Sequence, residues 1–293
     1  MRHTLRQLEV FLAVARAESV SGAARALAMS QSAASASLLD LERQFDLQLF
    51  DRVGKRLRLN DLGRAVRVRA ENVLENAREL EGMLERRSDA GPLRVGATLT
   101  IGNYVVPPLL ARFIRESPGR SPPTLAIANT AEIARQVAEL ELDVGLVEGE
   151  VEHAELELTA WREDQMVVFC AAEHPFARKR ALDDDDLRAA PWIVRERGSG
   201  TRQAFDRAMR DLLPELHVAL TLEQTEAIKG AVEQGLGVSC LSRIALEPAF
   251  KAGSLRPCRV PQRDFRRQFF FLLHAQKVHG AALTRWLELC RGS

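Results

Sequence analysis

Six consecutive residues, Arg197-Gly198-Ser199-Gly200-Thr201-Arg202, bring two glycines, two hydroxyls and two guanidinium groups together. Small residues let backbone N–H groups approach a ligand, and a helix opening at such a run adds the positive end of its dipole. The chemistry favoured is capture of a small oxyanion by Ser199, Gly200, Thr201 and Arg202. Thr98 and Thr100 precede Gly102-Asn103, and Asn129-Thr130 form another short polar pair, so both can add donors to the same pocket. Glu148 and Glu226 are the carboxylates expected beside them. They repel a bare anion unless paired, with Arg202 as the natural partner, or else they select a protonated ligand or latch two lobes. A nucleotide-binding P-loop is excluded because no lysine follows the glycines at Walker spacing. Ser199 as a hydrolase nucleophile lacks assignable histidine and aspartate partners, and a turn that merely caps a helix is the plain alternative.

A second group of polar side chains lies near the start. Gln31, Ser32 and Ser35 share the exposed face of an expected helix; glutamine pairs bidentately with adenine, and serine reaches base edges or phosphates. The chain's formal net charge is only +1, but residues 1–60 carry nine basic side chains against six acidic ones. Arg52, Lys55, Arg56 and Arg58 cluster as a phosphate-contacting stripe requires. Candidate DNA contacts are therefore Ser21, Gln31, Ser32, Ser35, Arg52, Lys55 and Arg56.

Other reactive residues read as structural. Cys170, Cys240, Cys258 and Cys290 form no CxxC pair and have no histidine at zinc-ligand spacing, so buried thiols in a reducing cytoplasm are expected. The acidic run 183–186 suits a solvated helix start, and Trp161, Trp192 and Trp286 suit a core or a lobe interface. The six histidines show no catalytic pairing, and neither metal nor cofactor is expected. No apolar stretch is long enough to span a membrane and no secretion signal opens the chain, which points to the cytoplasm.

The elements that must hold these groups follow from periodicity. Leu5, Leu8, Phe11, Leu12 and Ala15 recur at helical spacing. Ser21 is the expected N-cap of an alanine-rich helix over 22–28, and Ser30 or Gln31 opens a third helix that buries Ala34, Leu38, Leu41 and Phe45. Alanine at the crossing lets the helices approach, as a helix-turn-helix requires to enter a major groove. Leu47, Leu49 and Phe50 alternate like a strand, and 53–56 turns into Leu57-Arg58-Leu59, giving a β-wing with a basic tip. Asn60 then caps a proline-free helix reaching Arg87. Its seam of Val66, Ala70, Val73, Ala77, Leu80 and Leu84 steps by four and three, the pattern of a dimerising helix, and 88–92 breaks it.

Beyond Pro92 strands and helices alternate: strands over 93–99, 124–128 and 143–147 with helices over 107–115 and 132–140 between them, implying a parallel sheet. A second set has strands over 165–171, 192–195, 218–222 and 238–241 with helices from Thr201 and Thr225. A strand over 267–274 and a helix over 281–289 close the chain. Two α/β lobes joined by extended crossings near 162–165 and 265–268 make a hinged clamp, with ligands expected at the carboxyl ends of strands.

The run SGAARALAMSQSAASASLLDLERQFDLQLFDRVGKRLRLNDLG, beginning at Ser21, resembles the DNA-binding signature of LysR-type transcriptional regulators. Two departures stand out: Ala36 and Leu39 occupy positions where many relatives carry Arg or Lys, and Asp46 replaces a common glycine. The first weakens guanine readout; the second is tolerable because Asp adopts the left-handed conformation at modest cost. TIGNYVVP, RERGSGTR and EAIKGAVEQGLGVSCLSR are most similar to the branch that senses sulfite and related oxyanions, which shares features with regulators of sulfur assimilation and carbon fixation. The resemblance implies an α+β multidomain chain: a winged helix-turn-helix over 1–60, a linker and dimerisation helix over 61–87, and a periplasmic-binding-protein-like effector domain over 88–293. Lobe I would take about 92–162 and 268–293, and lobe II about 163–267. It also implies double-stranded DNA and a small anionic effector as partners, a homodimer or homotetramer, contact with RNA polymerase, and no enzyme activity. The alternatives are a cytoplasmic solute sensor for a different organic acid, against which the first sixty residues argue, and an enzyme, for which nucleophile, metal and cofactor motifs are missing.

Overall fold

The computed structural model describes residues 2–54, 56–84, 92–118 and 121–292. They divide into two units, an amino-terminal one that also takes in Gln276–Trp286 and a larger one built mainly from Pro123–Ala275.

In the first unit, α1 (Leu5–Ala17) starts at a capping box in which Thr4 and Gln7 satisfy each other's backbone N–H groups. α2 (Val20–Ala26) and α3 (Gln31–Gln44) cross it, and Leu8, Phe11, Ala23, Ala24, Ala34, Leu38 and Leu41 share one core. The expected cap at Ser21 is corrected to Ser19, whose hydroxyl accepts from Gly22 N at 3.3 Å; starting there lets Val20 pack on the core. Ser21 sits exposed in the first turn, its hydroxyl 2.9 Å from that of Ser19. Leu5 and Phe45 do not join the buried stripe: they are 44% and 43% exposed. Phe45 is the C-cap of α3, where the chain has already left the core-facing helical path. Asp46 adopts φ 52°, the left-handed geometry expected of it.

The strand expected from Leu47 begins at Phe50: β1 (Phe50–Val53) pairs antiparallel with β2 (Arg56–Leu59), forming the wing. Leu49 is instead held before the strand, its N–H donating to Glu42 Oε1 at 2.7 Å. Arg52 and Arg56 are exposed on the wing; Lys55 lies outside the described residues. α4 (Asp61–Leu84) follows, its end capped by Asn60 Oδ1 accepting from Gly63 N at 2.8 Å. The expected seam of this helix divides. Ala70, with Leu74, is buried in the unit's own core, whereas Val73 and Leu80 are 42% and 57% exposed. Val66 and Ala77 are half-buried, and the Leu84 side chain lies outside those described. Apart from Pro92, the expected break at 88–92 also falls outside the described residues.

The second unit contains both α/β lobes. In the first, β3 (Arg94–Thr98) runs parallel to β4 (Thr124–Ala128) and β5 (Val144–Glu148). A π-turn (Ile101–Val105) leads into α5 (Val106–Arg115), and α6 (Thr130–Ala138) packs on the sheet through Ile133 and Val137. β6 (Leu156–Ala171) begins nine residues before the expected strand and serves both lobes. Its first part pairs with β11 (Arg266–His274), which also pairs with β5. Its second part pairs with β9 (Ser239–Ser242) and β10 (Leu255–Cys258). α7 (Asp184–Ala189) is the helix whose acidic start was expected, and Asp183 closes a capping box there. In the second lobe β7 (Pro191–Arg195) and β8 (His217–Leu222) run parallel, with α8 (Gly200–Ala208) between them in sequence. α9 (Thr225–Glu233) packs on them through Ile228 and Val232. α10 (Arg243–Ala252) and β10 had no counterpart among the elements expected from periodicity, while α11 (Ala281–Arg291) did. Trp192 and Trp286 are fully buried; half-buried Trp161 stacks on Phe271 and donates from Nε1 to Cys290 O at 2.9 Å. All four cysteines are buried and free.

Candidate functional site

Two strand ends and one helix start converge between the lobes. Thr98 ends β3, Glu148 ends β5, and Gly200-Thr201 open α8 behind their N-cap Ser199. The approach is close: a Cβ on Gly200 would stand 1.2 Å from Glu148 O, so only glycine fits. Thr130 links the same two segments, donating to Glu148 O at 3.0 Å and accepting from Gly200 N at 3.2 Å.

The Glu148 carboxylate is buried here, with Thr98 Oγ1 donating to Oε2 and Thr201 Oγ1 lying 3.4 Å from Oε1. Its cation is Arg267, on the crossing strand β11, whose Nη1 is 3.6 Å from Glu148 Oε1. The Arg267 guanidinium also donates to Asp164 Oδ2 at 2.7 Å, Thr201 Oγ1 at 2.9 Å and Thr100 Oγ1 at 3.4 Å. Asp164, on the other crossing, accepts from Ser242 Oγ at 2.8 Å. Arg267 and Asp164 side chains are each 2% exposed, a burial that ionised groups tolerate only when paired and hydrogen-bonded. Burial raises the Glu148 pKa, against the opposing pull of Arg267, a Thr100 hydrogen bond and Arg195; Asp164 adds to the rise. Arg267 thus faces two carboxylates, and burial drives Glu148 toward its protonated form.

The structure therefore brings Thr98, Thr100, Thr130, Glu148, Gly200 and Thr201 together around a residue that sequence reasoning missed. The available signal was Arg267 itself: a charge entering the apolar strand RRQFFFLLH at one of the expected crossings. The pairing expected for Arg202 is corrected. Arg202 turns along its own helix, donating to Asp206 Oδ1 at 2.7 Å and Arg195 O at 3.1 Å, so Arg267 takes its place. Ser199 is buried but makes no side-chain capping bond. Asn129 caps α6 through Glu132 N at 3.0 Å and reaches Glu196 Oε1 at 3.4 Å. Glu226 is 71% exposed rather than in the buried cluster. It accepts from the Tyr104 hydroxyl, on the π-turn of the other lobe, and pairs with Lys229 at 2.9 Å. Burial opposes its ionisation, yet Tyr104 and Lys229 hold its pKa below the usual carboxylate range.

Around α3, Gln31 and Ser32 are exposed and Ser35 is half-buried. Ser30 caps the helix, accepting from Ala33 N at 3.1 Å, and its hydroxyl lies 3.1 Å from that of Ser32. Arg56 and Arg58 approach Glu18 at 3.3 and 3.8 Å while staying largely in solvent, so both remain available to a polyanion. Among the described residues no helix is long and apolar enough to cross a membrane.

A winged helix-turn-helix carried with a two-lobed α/β sensor defines a DNA-binding regulator that responds to a small molecule. The comparisons give its family. Residues 5–64 match the bacterial regulatory helix-turn-helix protein, lysR family, and residues 86–293 match the LysR substrate binding domain; the chain belongs to the LysR family. It is 43% identical to the uncharacterized HTH-type transcriptional regulator YeiE of Escherichia coli (strain K12), over 99% of this chain and 98% of that one. With the HTH-type transcriptional regulator CysL of Bacillus subtilis (strain 168) it shares 32% identity, over 82% of this chain and 80% of CysL. Full-length OxyR from Pseudomonas aeruginosa has the same fold, with a TM-score of 0.73 at 23% identity, covering 100% of this chain and 94% of that one. Full-length CbnR, solved with its target DNA, gives 0.59 at 21% identity, covering 99% of each. The chain is thus a LysR-family transcriptional regulator with an effector-binding domain, and not an enzyme.

Proposed function

We propose that this regulator is controlled by a small oxyanion, of the sulfite or sulfate kind, bound between the lobes at the mouth of α8. The observation that carries the reading is the convergence of the Thr98, Thr100 and Thr201 hydroxyls with the Arg267 guanidinium at the start of that helix. Thr130, Ser199, Gly200 and Asn129 complete the polar surround, while Arg202 braces it from behind. Glu148 holds the position an anion would want, so an entering oxyanion competes with that carboxylate or meets it protonated. Glu226 and Tyr104 form a latch between the lobes at the rim.

The functional division follows the motifs: 1–60 reads duplex DNA, 61–87 pairs two copies, and 88–293 senses the effector. Ser21, Gln31, Ser32, Ser35, Arg52, Lys55 and Arg56 make the DNA contacts, with arginine and lysine on phosphates and Gln31 on base edges. The exposed Val73 and Leu80 on α4 support pairing into a homodimer or homotetramer. Effector binding acts through its preference for one lobe arrangement, which the linker helices convert into altered DNA bending or RNA polymerase contact.

Thermal melts of the wild-type chain and Thr201→Ala, titrated with sulfite, sulfate, phosphate and organic acids, test the site. The expected result is a stabilising shift with one oxyanion class that shrinks in the variant. Equal shifts in both proteins remove Thr201 from the site, and a response confined to organic acids replaces the oxyanion reading.

A further inference from the structure

The exposed side of α3 is not uniformly polar. Opposite the buried Ala34, Leu38 and Leu41, the residues Ser32, Ala36, Leu39 and Arg43 follow at steps of four, three and four and are all exposed. Residues so spaced line one face of a helix. Leu39 in the middle of that face is 45% exposed. A single exposed leucine means little by itself. This one lies a turn beyond Ser35 on the helix whose exposed end carries Gln31 and Ser32, and Ala36 continues the apolar surface beside it.

Charge sits around this apolar stretch. Arg43 lies at the far end of α3, Arg52, Arg56 and Arg58 lie on the wing, and Asp40 on the flank of α3 disfavours a phosphate there. Phosphate contacts are thereby left to the ends, and the middle of the face is left to base edges. Ala36 and Leu39 offer no donor or acceptor to a groove. Among the groups that base pairs display in the major groove, the thymine C5 methyl is the apolar one.

We propose that Ala36 and Leu39 read thymine methyl groups, so that the middle of α3 selects thymine-bearing base pairs by apolar contact while Gln31 and Ser32 supply hydrogen-bonded readout. The inference rests on α3 entering the major groove, as the proposed function has it. Burying one methyl group is worth about fourfold in affinity.

The test uses the full-length protein and a duplex obtained by binding selection from genomic fragments. Each thymine is replaced singly by deoxyuridine, which removes only the methyl group. For the wild-type chain, one or two positions per half-site should weaken binding about fourfold. At one of those positions the replacement should be silent in Leu39→Ala, and Leu39→Met should restore sensitivity. Equal binding to random duplex checks that the variants are folded, and the scan on the wild-type chain stands without them. A flat scan with selective binding intact overturns the proposal and leaves the DNA-reading role standing. If the scan is flat and Leu39→Ala still loses transcriptional control, Leu39 contacts a protein instead, and the proposal is equally overturned. A chain that prefers no fragment over random duplex overturns the DNA-reading role as well.

Discussion

Replacing Arg267 by methionine keeps an unbranched, flexible side chain, shorter than arginine's, and removes the cation that Glu148 and Asp164 share. The change abolishes an ion pair of 2.7 Å with Asp164, a second approach of 3.6 Å to Glu148 and two threonine hydroxyl bonds, all with side chains 2% exposed or buried hydroxyls. Asp164 keeps its bond from Ser242, but its charge stays buried without a cation. Breaking a buried pair from one side costs about 3–5 kcal/mol, a hundredfold to a few thousandfold in the folding constant. Urea unfolding followed by tryptophan fluorescence measures this directly, because Trp161, Trp192 and Trp286 all lie in the carboxyl-terminal half. The loss has a sign in pH as well. Glu148 already has its pKa raised by burial, and losing the guanidinium raises it further. A carboxyl group with a raised folded pKa contributes stability below its unfolded value and loses it as pH rises through the folded value. The deficit of Arg267→Met should therefore shrink on acidification, and adding Glu148→Gln should recover about 1–3 kcal/mol at neutral pH. A deficit below about 1 kcal/mol, or one that grows as pH falls, would refute the assignment of Arg267 as the cation of this site.

Glu148→Gln in the otherwise wild-type chain should flatten the decline in melting temperature as pH rises above the ordinary carboxylate range, since it removes a buried carboxyl whose pKa is raised in the folded state. Gly200→Ala should be strongly destabilising, by about 3 kcal/mol or more, because its Cβ would fall 1.2 Å from Glu148 O. Gly230→Ala within α9 meets nothing within 4 Å and should instead stabilise by about 0.5–1 kcal/mol; denaturant midpoints of the two variants check the contrast. Arg52→Ala with Arg56→Ala should lower the slope of log affinity against log salt by about one for each phosphate no longer neutralised, measured on a random duplex.

The ordering of elements was legible because each segment declares its own period: Ile133 and Val137 recur at helical spacing, and the strands around them are short apolar runs. RGSGTR announced itself as the start of a helix for the same local reason. What stayed hidden depends on register between distant segments. Arg267 meets Glu148 because β11 pairs with both β5 and β6, and nothing near either residue encodes that pairing. Ser19 and Ser21 are equally good caps in sequence, and the choice between them came from the packing of Val20. On α4 the spacing of the seam residues did not tell which of them the unit's own core would take. Ala70 closes its own core, while Val73 and Leu80 remain outside it.

The position of β11 sets an order on how the chain can be made. In the first lobe it lies between β5 and β6, yet it is translated only after the strands and helices of the second lobe. Until His274 emerges, the neighbouring edges of β5 and β6 have no occupant, and unpaired strand edges invite aggregation. The second lobe, by contrast, has all of its strands once Cys258 has been synthesised. A ribosome therefore releases the later-encoded lobe with all its strands in hand while the earlier-encoded one is still waiting for an interior strand, and premature termination anywhere between those two points leaves the product with an open sheet.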